Sequence, residues 1–266
     1  MPELPEVETV RRGLRPLLVG RRILDAGSHP SPKFEPASQV VGAVAVDVDR
    51  RGKYLLIPMD DHRRLIIHLG MTGRLCLRTP GDPVGPHVRA WWHLDGDRTL
   101  DYHDIRRFGR IAVVGEDLSG LPTLAQLGPE PFCPSFTPER LWSELRRSRS
   151  HIKTQLLNQR VVAGVGNIYA DEALWRAGIN PASRQISRPA ATRLHAAIVA
   201  VLDEGIRHGG TTFRDYRNVA GRPGLNQHRL DCYGRAGAAC RRCGETLRRR
   251  VVDARGTTFC PRCQRR

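Results

Sequence analysis

No stretch of this 266-residue chain is apolar for long enough to cross a bilayer, and no charged-then-apolar leader opens it. Neither export nor membrane insertion is therefore expected, and the chain reads as cytoplasmic. Acid is scarce: 27 Asp and Glu face 43 Lys and Arg, for a net charge of +16. Such a balance fits a polyanionic partner. Lysine is nearly missing too, at only Lys33, Lys53 and Lys153. That bias toward arginine also follows from a GC-rich genome, so charge alone leaves both explanations open. Internal repeats and low-complexity tracts are absent.

The cysteines number seven, an odd count that does not suit a disulfide framework. Cys76, Cys133 and Cys232 are scattered and read as reduced, buried thiols without chemistry. The other four fall into Cys240-x-x-Cys243 and Cys260-x-x-Cys263, separated by sixteen residues. Two such pairs place four thiolates around one tetrahedral zinc from two knuckles of a β-hairpin. A closed four-cysteine site is structural, so that Zn2+ holds a hairpin and activates no water. Arg241, Arg242, Arg248, Arg249, Arg250, Arg255 and Arg262 crowd the same unit, either solvated or facing nucleic acid.

Pro2-Glu3-Leu4-Pro5-Glu6 opens the chain. Removal of Met1 makes the Pro2 nitrogen a free secondary amine, and an α-amino group with a pKa near ~7.7–8.0 is partly neutral at cellular pH. Adding to a sugar aldehyde carbon, it gives an iminium, a strong electron sink. Glu3 stands beside it for proton transfer. The same pentapeptide also suits an ordinary first helical turn, with proline early and glutamate favouring the dipole.

Leu4, Val7, Val10, Leu14 and Leu17 recur every three or four residues, predicting a helix from about Leu4 to Leu18 that Gly20 ends. Short apolar or alternating runs follow at Val40–Val48, Tyr54–Pro58, Leu65–His68, Arg74–Leu77, Ala90–Leu94 and Ile111–Val114. Strands at that spacing predict a β-sandwich or barrel. Five prolines within 121–138 read as a stiff linker. Helical periodicity returns at Glu139–Arg147, Ile152–Asn158, Ile168–Ala177 and Ala190–His208. The expected organisation is α+β: residues 1–120 a β-sandwich catalytic domain with an N-terminal helix, 121–138 the linker, 139–227 a helical domain, and 228–266 a zinc-finger hairpin.

Gly164-Val165-Gly166-Asn167 opens the third of these helices. Its backbone N–H groups could face a phosphate, with Asn167 capping the helix and Lys153 one helix earlier, although a tight turn between core helices explains the glycines equally. His68-Leu69-Gly70-Met71-Thr72-Gly73 and Asp104-Ile105-Arg106-Arg107-Phe108-Gly109 are glycine-bounded turns carrying large apolar side chains. Proteins that extrude a nucleotide need such wedges to fill the vacated stack, while ordinary loop packing is the plainer account.

Taken together, these motifs, with Arg51-Gly52-Lys53-Tyr54-Leu55, Leu127-Gly128-Pro129-Glu130-Pro131, Gly209-Gly210-Thr211-Thr212 and Tyr233-Gly234-Arg235, resemble the bacterial formamidopyrimidine-DNA glycosylases from end to end. Leu4, where the endonuclease VIII branch usually has glycine, favours the formamidopyrimidine branch. The resemblance implies a sandwich, a helix–two-turn–helix and a zinc finger, with damaged double-stranded DNA bound in the cleft by a monomer. It implies Pro2 as nucleophile, Glu3 as the acid for sugar ring opening, Glu6 in support, and Lys53 at the lesion's phosphate. His68, Asn167, Tyr233 and Arg255 would hold phosphates, with Arg255 counted in the catalytic set and Lys153 in the DNA-binding set. Met71, Arg106 and Phe108 would fill the void, Arg106 addressing the orphaned base. The implied activity is removal of oxidised or ring-opened bases and strand cutting by β,δ-elimination.

Two departures stand out. Ile105 occupies a position often held by proline, and Leu225-Asn226-Gln227 lacks the aromatic usual before Gln. A mobile lid with few fixed contacts is expected over 221–227, which would lower any preference for 8-oxoguanine. Alternatives are an enzyme acting mainly as an abasic-site lyase, and a zinc-finger DNA-binding paralogue without strong catalysis. The second is distinguished by loss of Pro2, Glu3 or Lys53, all of which are present.

Overall fold

The computed structural model describes residues 1–115, 117, 118 and 121–265, which form two units: Met1–Ala125 with Ile206–Gln227, and Gln126–Gly205 with His228–Arg266. The expected domain limit at residue 120 lies outside the described residues. Among the described residues no helix is long and apolar enough to cross a membrane.

The first unit starts with helix α1, Leu4–Leu18, whose capping box is made by Glu3 and Glu6: each side chain accepts the other's backbone N–H. Leu4, Val7, Val10 and Leu14 are buried as the periodicity requires, while Leu17 is half-buried and Leu18 takes the inner position at the helix end. Eight strands follow: β1 Ile23–Ser28, β2 Asp49–Arg51, β3 Tyr54–Pro58, β4 Arg64–His68, β5 Arg74–Arg78, β6 Val88–Leu94, β7 Arg98–His103 and β8 Arg110–Val114. They make two antiparallel four-stranded sheets, ordered β1-β6-β7-β5 and β2-β3-β4-β8. Leu55, Ile57, Leu65 and Ile67 from one sheet and Leu75, Trp92, Leu94, Leu100 and Tyr102 from the other share one core with α1. The Trp92 indole N–H is satisfied there by the Ala37 carbonyl at 3.0 Å.

Val40–Val48 is not the strand its alternation suggests. Glu35–Val40 is a 3-10 turn, and the remainder makes isolated bridges through Val44 and Ala45 and forms no ladder. Val40, Ala43, Ala45 and Val48 are inside and Val41 and Val46 exposed, a spacing of three, two and three that does not keep a strand's period of two. Strand β7 escapes the apolar pattern because Asp101 lies within it, buried against the Arg78 guanidinium at 2.8 Å.

The proline-rich stretch is divided: Pro122–Ala125 is a short helix, α2, of the first unit, whereas the Gly128 N–H and the Pro129 carbonyl are bonded into the second at Gln159 and Ala163. That second unit carries α3 Pro138–Arg146, α4 Ile152–Leu157, α5 Asn167–Ala177 and α6 Arg188–Arg207, and the hairpin β9 Arg248–Val252 and β10 Arg255–Phe259. Thr137 caps α3 by accepting the Arg140 N–H. The hairpin closes through Asp253-Ala254, both at positive φ, the two-residue turn whose twist suits antiparallel strands. Of the three cysteines expected to be buried, Cys232 is, Cys76 is partly so, and Cys133 is exposed, in a turn that offers no core to enter.

Glu8 shows how arginine-rich faces are neutralised here. It is 7% exposed and pairs with Arg11, Arg12 and Arg50 at 2.9, 2.8 and 3.1 Å. Burial alone would raise its pKa, but the guanidiniums of Arg11, Arg12 and Arg50 outweigh it and hold the carboxyl at about 2. A folded pKa below the unfolded value gives stability that is complete above pH 4.5 and is lost as pH falls toward 2. Glu8→Gln should therefore cost about 3 kcal/mol at pH 7 and flatten the dependence between pH 5 and 2.5. Urea midpoints for wild type and variant across that range check it; parallel curves would contradict it.

Candidate nucleic-acid interface

At the chain start Pro2 is buried and followed by two buried carboxylates, Glu3 at 2% and Glu6 at 1% exposure. Glu6 Oε2 accepts the Glu3 N–H at 2.8 Å, and its Oε1 accepts the Thr211 N–H at 2.6 Å. Gly210 makes this possible: at φ +85° a Cβ there would lie 2.9 Å from Glu6 Cγ, so only glycine brings the 209–211 turn onto the carboxylate. Tyr216 donates to the Glu6 and Gly209 carbonyls at 3.3 and 3.2 Å. Burial and the nearby Glu6 charge push that phenol up, so it stays a neutral donor. In the chain with Met1 attached, the Pro2 nitrogen is a tertiary amide and cannot act as a base or nucleophile.

Lys53 sits in the two-residue turn between β2 and β3, whose last pair is Arg51 with Tyr54, and is 6% exposed. Its neighbour across the β3–β4 ladder is His68, opposite Tyr54, with the two rings 4.7 Å apart. The Gly70 N–H donates to His68 Nδ1 at 3.2 Å, which leaves Nε2 as the protonated, donating nitrogen. Burial first, and the Lys53 charge second, pull the imidazole down to about 4.

The two glycine-bounded turns are stitched together. Asp104, fully buried, accepts the Thr72 hydroxyl at 2.6 Å and the Gly109 N–H at 2.7 Å, while the Arg106 N–H reaches the same hydroxyl oxygen at 3.0 Å. Gly70, at φ +62°, lies so close to Phe108 and Gly109 that a Cβ would sit 2.4 Å from the Gly109 nitrogen. On this rigid base Phe108 stands 53% exposed with Arg106 stacked over it at 5.0 Å, and Ile105 is exposed to the same degree; Met71 is half-buried. A cavity of about 290 Å³ borders the platform, lined with Thr72, Arg74, His87, His103, Arg214 and Arg217. Its cations were not legible beforehand because they come from distant segments without a motif.

In the second unit, two expected phosphate ligands are otherwise engaged. Lys153 is fully buried, with its ammonium 2.6 Å from Asp171 and donating to Thr257 and the Gly256 carbonyl at 2.8 and 3.1 Å. It does not offer a surface charge. Asn167 does not cap α5 either: Gly166 is the cap residue, and the Asn167 amide donates to the Gly256 carbonyl at 3.1 Å. Both side chains reach β10 of the hairpin that bears exposed Arg255. Burial raises Asp171 and the Lys153 charge pulls it back. Glu172, raised by burial, accepts the Asp231, Cys232 and Tyr233 N–H groups at 2.9, 2.8 and 2.7 Å and so sets the turn presenting half-buried Tyr233. An Asp-Glu pair inside an apolar helix face was the available signal for these anchors.

Cys240, Cys243, Cys260 and Cys263 converge, with all four sulfurs within 4.8 Å of one another. A tetrahedral thiolate set with metal–sulfur bonds of about 2.3 Å needs sulfur separations just under 4 Å, so the donors fit a structural metal ion.

Within 221–227, the second half is bonded down. Asn226 is buried and bonded to Gly210 and Thr211, Gln227 to Thr212 and Gly224, and the Leu225 N–H to His208, while Gly221, Arg222, Pro223 and the Leu225 side chain are exposed. Amide hydrogen bonds thus hold residues 224–227 where the aromatic is absent, and the exposed part of the expected lid is 221–223.

Family models match three consecutive parts of the chain: the formamidopyrimidine-DNA glycosylase N-terminal domain over residues 1–111, its H2TH domain over 127–217, and a zinc finger found in FPG and IleRS over 237–266. Formamidopyrimidine-DNA glycosylases of Thermomicrobium roseum and Thermus thermophilus are 46% and 45% identical, covering 99% of this chain and 99% and 98% of their own. The crystal structure of MutM (Fpg) from Thermus thermophilus superposes with a TM-score of 0.92 at 44% identity, covering 99% of this chain and 98% of that one. A Lactococcus lactis Fpg variant in complex with DNA containing Fapy-dG gives 0.92 at 37% identity over the whole of both chains. The chain belongs to the formamidopyrimidine-DNA glycosylase family.

The His68 geometry makes a direct prediction. With a folded pKa below the 6.5 reference, the neutral ring contributes stability above that pH, lost as pH falls toward 4. Long-range nitrogen–proton NMR should show His68 with its proton on Nε2 and no titration down to about pH 5. A midpoint near 6.5 would contradict the assignment.

Proposed function

We propose that this chain is a bifunctional DNA glycosylase and abasic-site lyase of base excision repair, acting on damaged double-stranded DNA as a cytosolic monomer with one structural Zn2+ held by Cys240, Cys243, Cys260 and Cys263. The observation that carries the reading is the anchored chain start: Pro2 is buried ahead of two carboxylates, one of which is tied at both oxygens to backbone N–H groups. Family membership supports it, as does the solved Lactococcus lactis Fpg bound to abasic-site DNA, which is 37% identical with a TM-score of 0.91.

Once Met1 is removed, the Pro2 amine attacks C1′ of the damaged nucleotide while Glu3 delivers a proton to the sugar ring oxygen. The base departs, and an iminium links Pro2 to the opened sugar. That electron sink acidifies the C2′ proton; its loss expels the 3′ phosphate, and a second elimination expels the 5′ phosphate. An α-amine suits this work because its pKa lies well below that of a lysine side chain, so its lone pair is available at neutral pH. Glu6 acts as the anchor of the chain end. Lys53 and the neutral Nε2–H of His68 serve the lesion's phosphate, with Tyr233, Asn167 and Arg255 as further contacts; for Asn167 this is its second allegiance beside Gly256. Lys153 is assigned to holding the hairpin, since its burial removes it from the phosphate set.

Phe108, Arg106 and Met71 supply the wedge that fills the emptied stack. Ring-opened purines and abasic sites are the proposed substrates.

Borohydride should trap a covalent protein–DNA adduct on an abasic duplex, and a protein that retains Met1 or an N-terminal tag should give none. Equal trapping by the blocked protein would overturn the nucleophile assignment. Binding should also separate charge from wedge. Arg255→Ala should lower the log–log salt slope by about one, whereas Phe108→Ala should leave the slope unchanged and slow capture of duplex lesions. Wild-type rates for the Phe108 variant on duplex lesions would remove the wedge role.

A further inference from the structure

We infer that Trp175 is a positioning residue for the metal held by the four cysteines: its indole N–H fixes the Cys240 sulfur and fastens that knuckle to the end of α5. The inference rests on the zinc assignment above.

Trp175 lies in the last turn of α5, 6% exposed, and its Nε1 is 3.4 Å from Cys240 Sγ. An indole nitrogen only donates, and a buried donor needs an acceptor. A neutral thiol is a weak one. A thiolate is a strong one, so the bond reaches full strength when Cys240 carries the charge that metal ligation demands. The contact is reinforced by Arg242, inside the same Cys240–Cys243 knuckle. Its guanidinium stacks over the Trp175 ring at 4.5 Å and donates to the Arg176 carbonyl at 3.1 Å. Trp175, Cys232, Cys240, Leu247 and Cys260 pack as one apolar cluster, which keeps water from the N–H···S bond. Both knuckles offer backbone N–H groups of their own turn to the first sulfur, Arg242 and Cys243 to Cys240, Arg262 and Cys263 to Cys260 (the last at 3.3 Å), and Cys240 takes the Trp175 side-chain donor in addition. One knuckle thus draws a donor from α5, the helix that also bears Asn167, Asp171 and Glu172. Loading the metal and ordering that helix are thereby coupled.

The consequence is kinetic. A donor on the sulfur holds it and its knuckle in place, so deleting the donor loosens the hold on the metal. Trp175→Phe keeps an aromatic ring in the cluster and deletes only the donor. Metal analysis first establishes one zinc per chain; a protein isolated without zinc, and unable to take it up, would refute the zinc assignment itself. With zinc loaded, transfer to a chromophoric chelator should be about tenfold faster in the variant, the low end of what loss of an outer partner costs a metal site. The cobalt-substituted variant should show a shifted sulfur-to-cobalt charge-transfer band, which a purely packing role would leave in place. Equal transfer rates together with superimposable cobalt spectra would overturn the inference. Should the variant fail to fold, the cadmium-113-loaded wild type answers the same question. Coupling between the Trp175 indole proton and the metal across the hydrogen bond supports the role, and its absence removes it.

Discussion

The carboxylate of Glu6 is buried at the head of α1 and takes a backbone N–H on each oxygen, one from its own capping box and one from Thr211. A charge in that position is tolerable only because both oxygens are served, and hydrogen bonds to an ionised group contribute about 1.5–3 kcal/mol each. The effect is to remove the freedom that a chain terminus normally has. Pro2 and Glu3 are held by a helix whose apolar face is sunk in the sandwich core, and by a turn that only glycine at 210 allows. The amine proposed at Pro2 would be pre-organised by this anchoring.

The second unit applies the same device to the hairpin. Lys153, Asp171 and Glu172 are charges placed inside the fold, and each is committed to backbone or side-chain groups of the segments carrying Tyr233 and Arg255. Breaking one partner of such a buried pair leaves an uncompensated charge, so these residues hold position more than they add net stability. The hairpin is long enough to present an arginine but too small to bury a core, and it depends on these ties and on its metal.

Much of this was legible beforehand. The helix over Leu4–Leu18 follows from its one apolar face, and the strand Tyr54–Pro58 from a short continuous apolar run, buried at its three central positions. The four cysteines declare their geometry through spacing. The two glycine-bounded turns could be located, but not the Asp104–Thr72 bond that stiffens them, since it joins residues thirty-two apart in the chain. Lys153 shows a related limit: a basic residue near a glycine turn looks like a surface phosphate ligand until its burial against Asp171 is known. The stretch Leu225-Asn226-Gln227 misled in the opposite sense. Missing an aromatic, it looked loose, yet amide side chains bond it down, and hydrogen-bond closure leaves no periodic signature.

The central claim is that this anchored chain start supplies the nucleophile through Pro2. The most direct measurement is mass-spectrometric mapping of the borohydride-trapped adduct after tryptic digestion. The account predicts the sugar remnant on the peptide that begins at Pro2, attached at its nitrogen. A remnant on the peptide containing Lys53, with the Pro2 peptide unmodified, would contradict it.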